Sequence, residues 1–282
     1  MQPLCNSFLQ KVNKIIMSRI YNETWESAKL SHRDFSRQSE QKYFGKITID
    51  TDVNTSDNYT YHTIFMKEEP FFDKKLSLHL TEVITSLLVN LLIKHTSTPP
   101  KVLCVGLGNE KITPDSLGSK TVDLLTVTSN LYNLPRIRSK YGNLCAYKSS
   151  VSGLTGIESY DLITSLIDSV KPDIVIAIDT LCTSKISRLA KCIQITDDGI
   201  IPGGGVNNAK QKLNKKSLGI PVIAIGVPLV IYLKTVLREH DVKEIDEDIV
   251  DLAVTAKDID FLIDTYSSVI AEGINQAIHG KK

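Results

Sequence analysis

The sequence has no pair of cysteines in C-x-x-C spacing, no excess of either charge, and no apolar run long enough to cross a bilayer. Each absence excludes something. Five cysteines (Cys5, Cys104, Cys145, Cys182 and Cys192) are odd in number and scattered, which suits reduced thiols in a cytoplasm better than a disulfide framework. Lysine plus arginine total 33 against 32 acidic residues, so the broad basic face of a nucleic-acid-binding protein is not expected. The longest apolar run, Pro221 to Leu233, is too short for a span and contains Gly226 and Pro228. No secretory leader is expected, because Asn6, Gln10, Lys11, Asn13 and Lys14 interrupt the apolar residues of the N-terminus.

What is present is a core. The apolar share is 42% of 282 residues, enough to fold without a metal or disulfide staple. Residues 1–70 are polar and weakly patterned, with one strand expected at Tyr61 to Met66. Leu80, Val83, Leu87, Leu88, Leu91 and Leu92 predict a helix from Ser77 to Lys94, ended by Pro99 and Pro100. KVLCV (101–105) and DIVIAI (173–178) read as buried strands, Cys192 to Thr196 and Pro221 to Ile225 as two more. Helices are expected at Asp115 to Tyr132, at Gly156 to Val170 and, after a capping-box-like Thr255 to Asp258, up to His279. Strands spaced by helices imply one α/β domain over 1–282, three layers deep, with a mostly parallel central sheet carried by 99–230.

In such sheets ligands lie outside the carboxyl ends of the strands. That edge comprises Gly106 to Gly118, Asp179 to Ser184, Asp197 to Gly205 and Gly226 to Pro228. The turn Gly106-Leu107-Gly108-Asn109 has Lys111 where a dinucleotide fingerprint needs glycine, so no nucleotide cofactor is expected. Asp115 follows Pro114 at a helix start, and Asp179 closes an apolar strand. Either alone is an ordinary cap or loop carboxylate. Two carboxylates converging on one sheet edge are an acid–base pair in prospect, because crowding pushes their pKa values apart. Asp197 and Asp198 add either a third carboxylate or a plain turn. None of the six histidines falls in these segments, so neither a histidine-rich zinc site nor a Ser-His-Asp triad is expected. Cys182, near Asp179 with no histidine following it, reads as structural rather than nucleophilic.

Several blocks carry a resemblance: VGLGNEKITPDSLG (105–118), SGLTGIES (152–159), KPDIVIAIDTL (171–181), IQITDDGIIPGGGV (193–206), LGIPVIAIGVP (218–228) and the C-terminal 254–279. Together, in this order, they resemble the germination proteases of spore-forming bacteria. That resemblance implies an atypical aspartic endopeptidase, similar in fold to hydrogenase-maturation peptidases. Its substrates would be small acid-soluble spore proteins, met in the cytoplasm of the developing spore, and its assembly a homotetramer. The family's functional aspartates match Asp115 and Asp179. Gly108, Asn109, Thr155, Gly156, Asp197, Gly203 and Gly204 are the expected substrate-binding positions. No cofactor, metal, direct nucleic-acid contact or membrane contact is expected. The alternatives are a metal-assisted peptidase using Asp115, Asp179 and Asp197, or a non-catalytic binding protein on the same fold. The chain departs from the family's pattern at Ile201, where histidine is usual, and in its N-terminal segment. There YNETWESA (21–28) is a poor match to the zymogen-processing stretch.

Overall fold

A computed structural model describes residues 27–29, 37–54, 57–68, 70, 73–203, 211–240 and 252–280. Gly204 and most of the 21–28 stretch lie outside the described residues.

The described strands are β1 (Ser27–Lys29), β2 (Arg37–Phe44), β3 (Ile47–Asn54), β4 (Tyr59–Met66), β5 (Lys101–Gly106), β6 (Asn143–Lys148), β7 (Ile174–Thr183), β8 (Cys192–Thr196), β9 (Val222–Tyr232) and β10 (Ala253–Thr255). They form one sheet in the order β1-β2-β3-β4-β8-β9-β7-β5-β6, with β10 also paired to β9. The α/β class holds, but the mostly parallel sheet does not. Only β5–β6, β5–β7 and β7–β9 are parallel. The other pairings, including β4–β8 and β8–β9, are antiparallel. The physical reason lies in the N-terminal meander β2–β3–β4, whose short connections can join only antiparallel neighbours. It docks through β4 on β8, so the weakly patterned N-terminal region supplies one wing of the sheet rather than an appendage.

The long helix α1 (Lys74–His95) begins at Asp73, whose side chain accepts from the Lys75 and Leu76 amides. Its residues Leu76, Leu80, Val83, Ile84, Leu88, Leu91 and Leu92 are all buried. Each such side chain is worth roughly 1.5–3 kcal/mol of burial. Although α1 is long and apolar enough to cross a membrane, most of it is buried inside this fold. It packs on the C-terminal helix α4 (Ile259–His279), where a Cβ on Gly273 would come within 2.6 Å of Ile84. Two further helices are α2 (Leu117–Asp123) and α3 (Ser159–Val170). Ile174, Ile176 and Ile178 of β7 pack into the cluster that includes α1 and α4, while Val175 and Ala177 join Ile163 of α3 in a second cluster. The sheet therefore has two distinct faces.

Two helix expectations need correction. The stretch 115–132 is not one helix: a 3₁₀ turn at Thr113–Asp115 leads into α2, which closes at Leu124. Thr255 does not cap α4. It belongs to β10, and its hydroxyl donates to the Leu229 carbonyl at 2.7 Å.

His62 of β4 is buried, with Nδ1 2.9 Å from the Thr51 hydroxyl. Burial, partly offset by the Asp197 charge, pushes its pKa down to about 4. An unfolded histidine titrates near 6.5, so between these values the unfolded chain binds more protons and stability falls as pH falls. We expect roughly 2 kcal/mol to be lost between pH 7 and 5 from this residue. Chemical denaturation at the two pH values should show the loss, and His62→Gln should remove most of it.

Candidate active site

The site is built where three glycines let backbones meet. Gly118, at the start of α2, has no room for a side chain: a Cβ would lie 2.4 Å from the Leu107 carbonyl oxygen and 2.6 Å from that of Ile178. A Cβ on Gly106 would in turn lie 2.3 Å from the Gly118 carbonyl oxygen. Helix α2 is thus pressed against the ends of β5 and β7, and the Leu107 amide donates to the Ile178 carbonyl at 2.8 Å. Gly108 adopts a φ of +102°, and a Cβ there would stand 2.2 Å from the Asp115 carbonyl oxygen. This tight turn lets the Asn109 amide donate to Asp115 Oδ2 at 2.7 Å. Asp115 is held in place by the turn, half-buried at the end of its 3₁₀ segment.

Asp179 lies inside β7 rather than past its end, because the strand runs on to Thr183. It pairs with Gly226 of β9 and is only 4% exposed. Its Oδ1 accepts the Thr180 amide at 2.8 Å. A cavity of about 450 Å³ opens beside it, lined by both Asp115 and Asp179. Gln194, Arg188, Ile201, Gly203 and Tyr232 contribute to the remaining wall. Each aspartate has one oxygen fixed by a main-chain amide, so the two carboxylates address a shared space from rigid supports. Cys182 also lines the cavity, but desolvation pushes its thiol pKa up and keeps it a poor nucleophile.

The remaining expected residues divide. Gly108 and Asn109 build the Asp115 turn, and Gly203 reaches the cavity wall. Thr155 and Gly156 do not line that cavity. They close an exposed single helical turn, Ser152–Thr155, with Gly156 left-handed at φ +69°. Asp197 is also not among the lining residues. It turns away and accepts from the Thr60 amide at 2.6 Å, His95 Nε2 at 2.7 Å and Lys94 Nζ at 2.7 Å. Burial acts to raise its pKa, but these partners outweigh it and hold the carboxyl at about 2. Asp197 therefore clamps the end of β8 to β4 and α1. The three-aspartate metal set does not assemble, and among the described residues no group of three His, Cys, Asp or Glu is placed to hold a metal ion. A histidine does come from afar, His95 to Asp197.

Arg188 and Gln194 escaped the reading of the sequence. A signal for Gln194 exists in CIQIT, where Ile193 and Ile195 face the core and the residue between them must face the other way. Arg188, over the Phe65 ring at 5.8 Å, had none, because Phe65 is distant in sequence.

With this geometry in hand, comparison with known proteins is decisive. The sequence profile of germination proteases, a peptidase family, matches residues 55–243. The chain belongs to the germination protease family. The germination protease of Clostridium perfringens strain 13 is 35% identical over 77% of this chain and 77% of its own length. That of Bacillus subtilis strain 168 is 32% identical over 74% and 73%, respectively. The germination protease of Oceanobacillus iheyensis is 40% identical across 64% of this chain and 50% of its own. Asp115, Asp179, Arg188, Gln194 and Ile201 all lie within the matched span.

Gly108→Ala tests the turn that holds Asp115. The positive φ alone costs about 1–3 kcal/mol for a residue with a side chain, and the Cβ contact adds to it. A drop in thermal midpoint of several degrees is expected, together with loss of whatever activity depends on Asp115.

Proposed function

We propose that the chain is an endopeptidase that begins the breakdown of small acid-soluble spore proteins, with Asp115 and Asp179 as its acid–base pair. The observation that carries this reading is the shared cavity: two carboxylates, each steadied by a backbone amide, face one space in a germination-protease chain. The chemistry needs little more. One carboxylate takes a proton from a water molecule as its oxygen attacks the scissile carbonyl carbon. The other, protonated, gives its proton to the departing amine nitrogen, and the two exchange roles to reset. Orientation by fixed supports lowers the barrier further, because the reacting groups need not be collected from solution.

The open side of the cavity suits a polypeptide. Its wall mixes Leu181, Pro228 and Val230 with the polar Gln194 and the cationic Arg188, so both side chains and main chain of an extended segment find partners. Ile201, half-exposed at the rim, offers an apolar contact where the family's usual histidine would offer a polar one.

The test is cleavage of a purified small acid-soluble spore protein, read by mass spectrometry. Asp115→Asn and Asp179→Asn should each lower the rate by at least about a hundredfold with the thermal midpoint little changed. Full activity in both variants would overturn the assignment. Activity should also survive exhaustive chelation. Its loss on chelation, and return with a divalent cation, would favour the metal-assisted alternative.

A further inference from the structure

The strand registers align four residues across the sheet. Asp179 of β7 sits opposite Gly226 of β9, Gly226 opposite Gln194 of β8, and Gln194 opposite Thr63 of β4. Residues directly opposite one another in a sheet project from the same face. Asp179 and Gln194 therefore stand on one face with a glycine between them. A Cβ on Gly226 would fall 2.5 Å from Leu181 Cγ and Cδ1, so the Leu181 side chain occupies the space above that glycine. The Leu181 isobutyl group therefore lies over the glycine, between the residues that carry the Asp179 carboxylate and the Gln194 amide. All three side chains line the same cavity.

Gln194 is not idle packing. Its strand neighbours Ile193 and Ile195 are buried on the opposite face, whereas Gln194 is half-buried on the cavity side. Among the described residues, its side-chain amide makes no hydrogen bond. It is also rigidly mounted: three residues on, Asp197 ties the end of β8 to Thr60, Lys94 and His95. A primary amide presents an NH₂ donor group beside a carbonyl acceptor, and so can pair with both the C=O and the N–H of a peptide unit. Two inter-strand spacings separate its Cα from that of Asp179 by about 9–10 Å, which an extended chain covers in about three residues at ~3.3 Å each.

We infer that Gln194 is a main-chain subsite: its amide pairs with a peptide group of the substrate about three residues from the bond at Asp179, gripping an extended polypeptide without regard to sequence. The inference rests on the peptidase reading and adds to it a ligand class, extended backbone, and a length requirement. Gln194 does not touch the reacting atoms. It is a positioning residue whose effect depends on the substrate reaching it.

The experiment compares wild type and Gln194→Ala on two peptides containing the bond that wild type cuts in a small acid-soluble spore protein. One extends six residues on each side, and the other is trimmed to two on each side. Losing a paired hydrogen bond should cut kcat/KM on the long peptide about tenfold, mainly through KM, and leave the short peptide unaffected. Gln194→Glu, which keeps an acceptor but no donor, should fall between. Equal loss on both peptides, or none on either, overturns the subsite. A wild type that cuts nothing overturns the peptidase reading instead. In that case, affinity of Asp179→Asn for the intact spore protein, with and without Gln194→Ala, still decides the subsite. A weaker grip without the amide supports it, and equal affinity overturns it.

Discussion

The close approach of α2 to the ends of β5 and β7 is the constraint on which the site depends. A Cβ at Gly118 would overlap the carbonyl oxygens of both Leu107 and Ile178. Without that contact the 3₁₀ turn bearing Asp115 would stand farther from the sheet, and Asp115 could not share a cavity with Asp179. The same compression makes Gly106 and Gly108 necessary, the first because Gly118 comes down upon it, the second because the chain must reverse at positive φ. Main-chain amides then finish the work by fixing one oxygen of each carboxylate. Geometry set by backbone contact is stiffer than geometry set by side-chain packing, since it has no rotamers to relax.

A second, independent clamp acts on the other side of the cavity. Asp197, Lys94, His95 and the Thr60 amide join β8, α1 and β4. This clamp is electrostatic and largely buried, so truncating one partner leaves uncompensated charge or unmet hydrogen bonds. An aspartate next to the site is thus tied into the architecture while contributing no group to the cavity.

Legibility from sequence followed the burial of each element. KVLCV and DIVIAI, covered on both faces, are apolar throughout and were readable as strands. The meander β2–β3 was not, because its outer face carries Gln41, Thr48 and Asp50 and only one side is greasy. Its antiparallel pairs are what make the sheet mixed rather than mostly parallel. Helix 115–132 was overextended because Leu124 and Leu125 continue an apolar rhythm past the true end of α2. That Asp115 and Asp179 reach one cavity was legible from the strand-edge rule alone. The Asp197 clamp was not legible, since its partners Lys94 and His95 lie about a hundred positions away and no local signal joins them.

The position of Asp179 in the interior of a strand limits how a protein of this design can diversify. Insertions and deletions accumulate in connections, not in paired strands, so a carboxylate on a residue paired with Gly226 of β9 is insulated from length changes. Variation falls instead on the rim: the segment 198–203 that brings Ile201 and Gly203, and the turn that brings Arg188. Inheritance can thus remodel the rim of the cavity while the carboxylate pair stays put, much as a lathe keeps its spindle and changes its jaws.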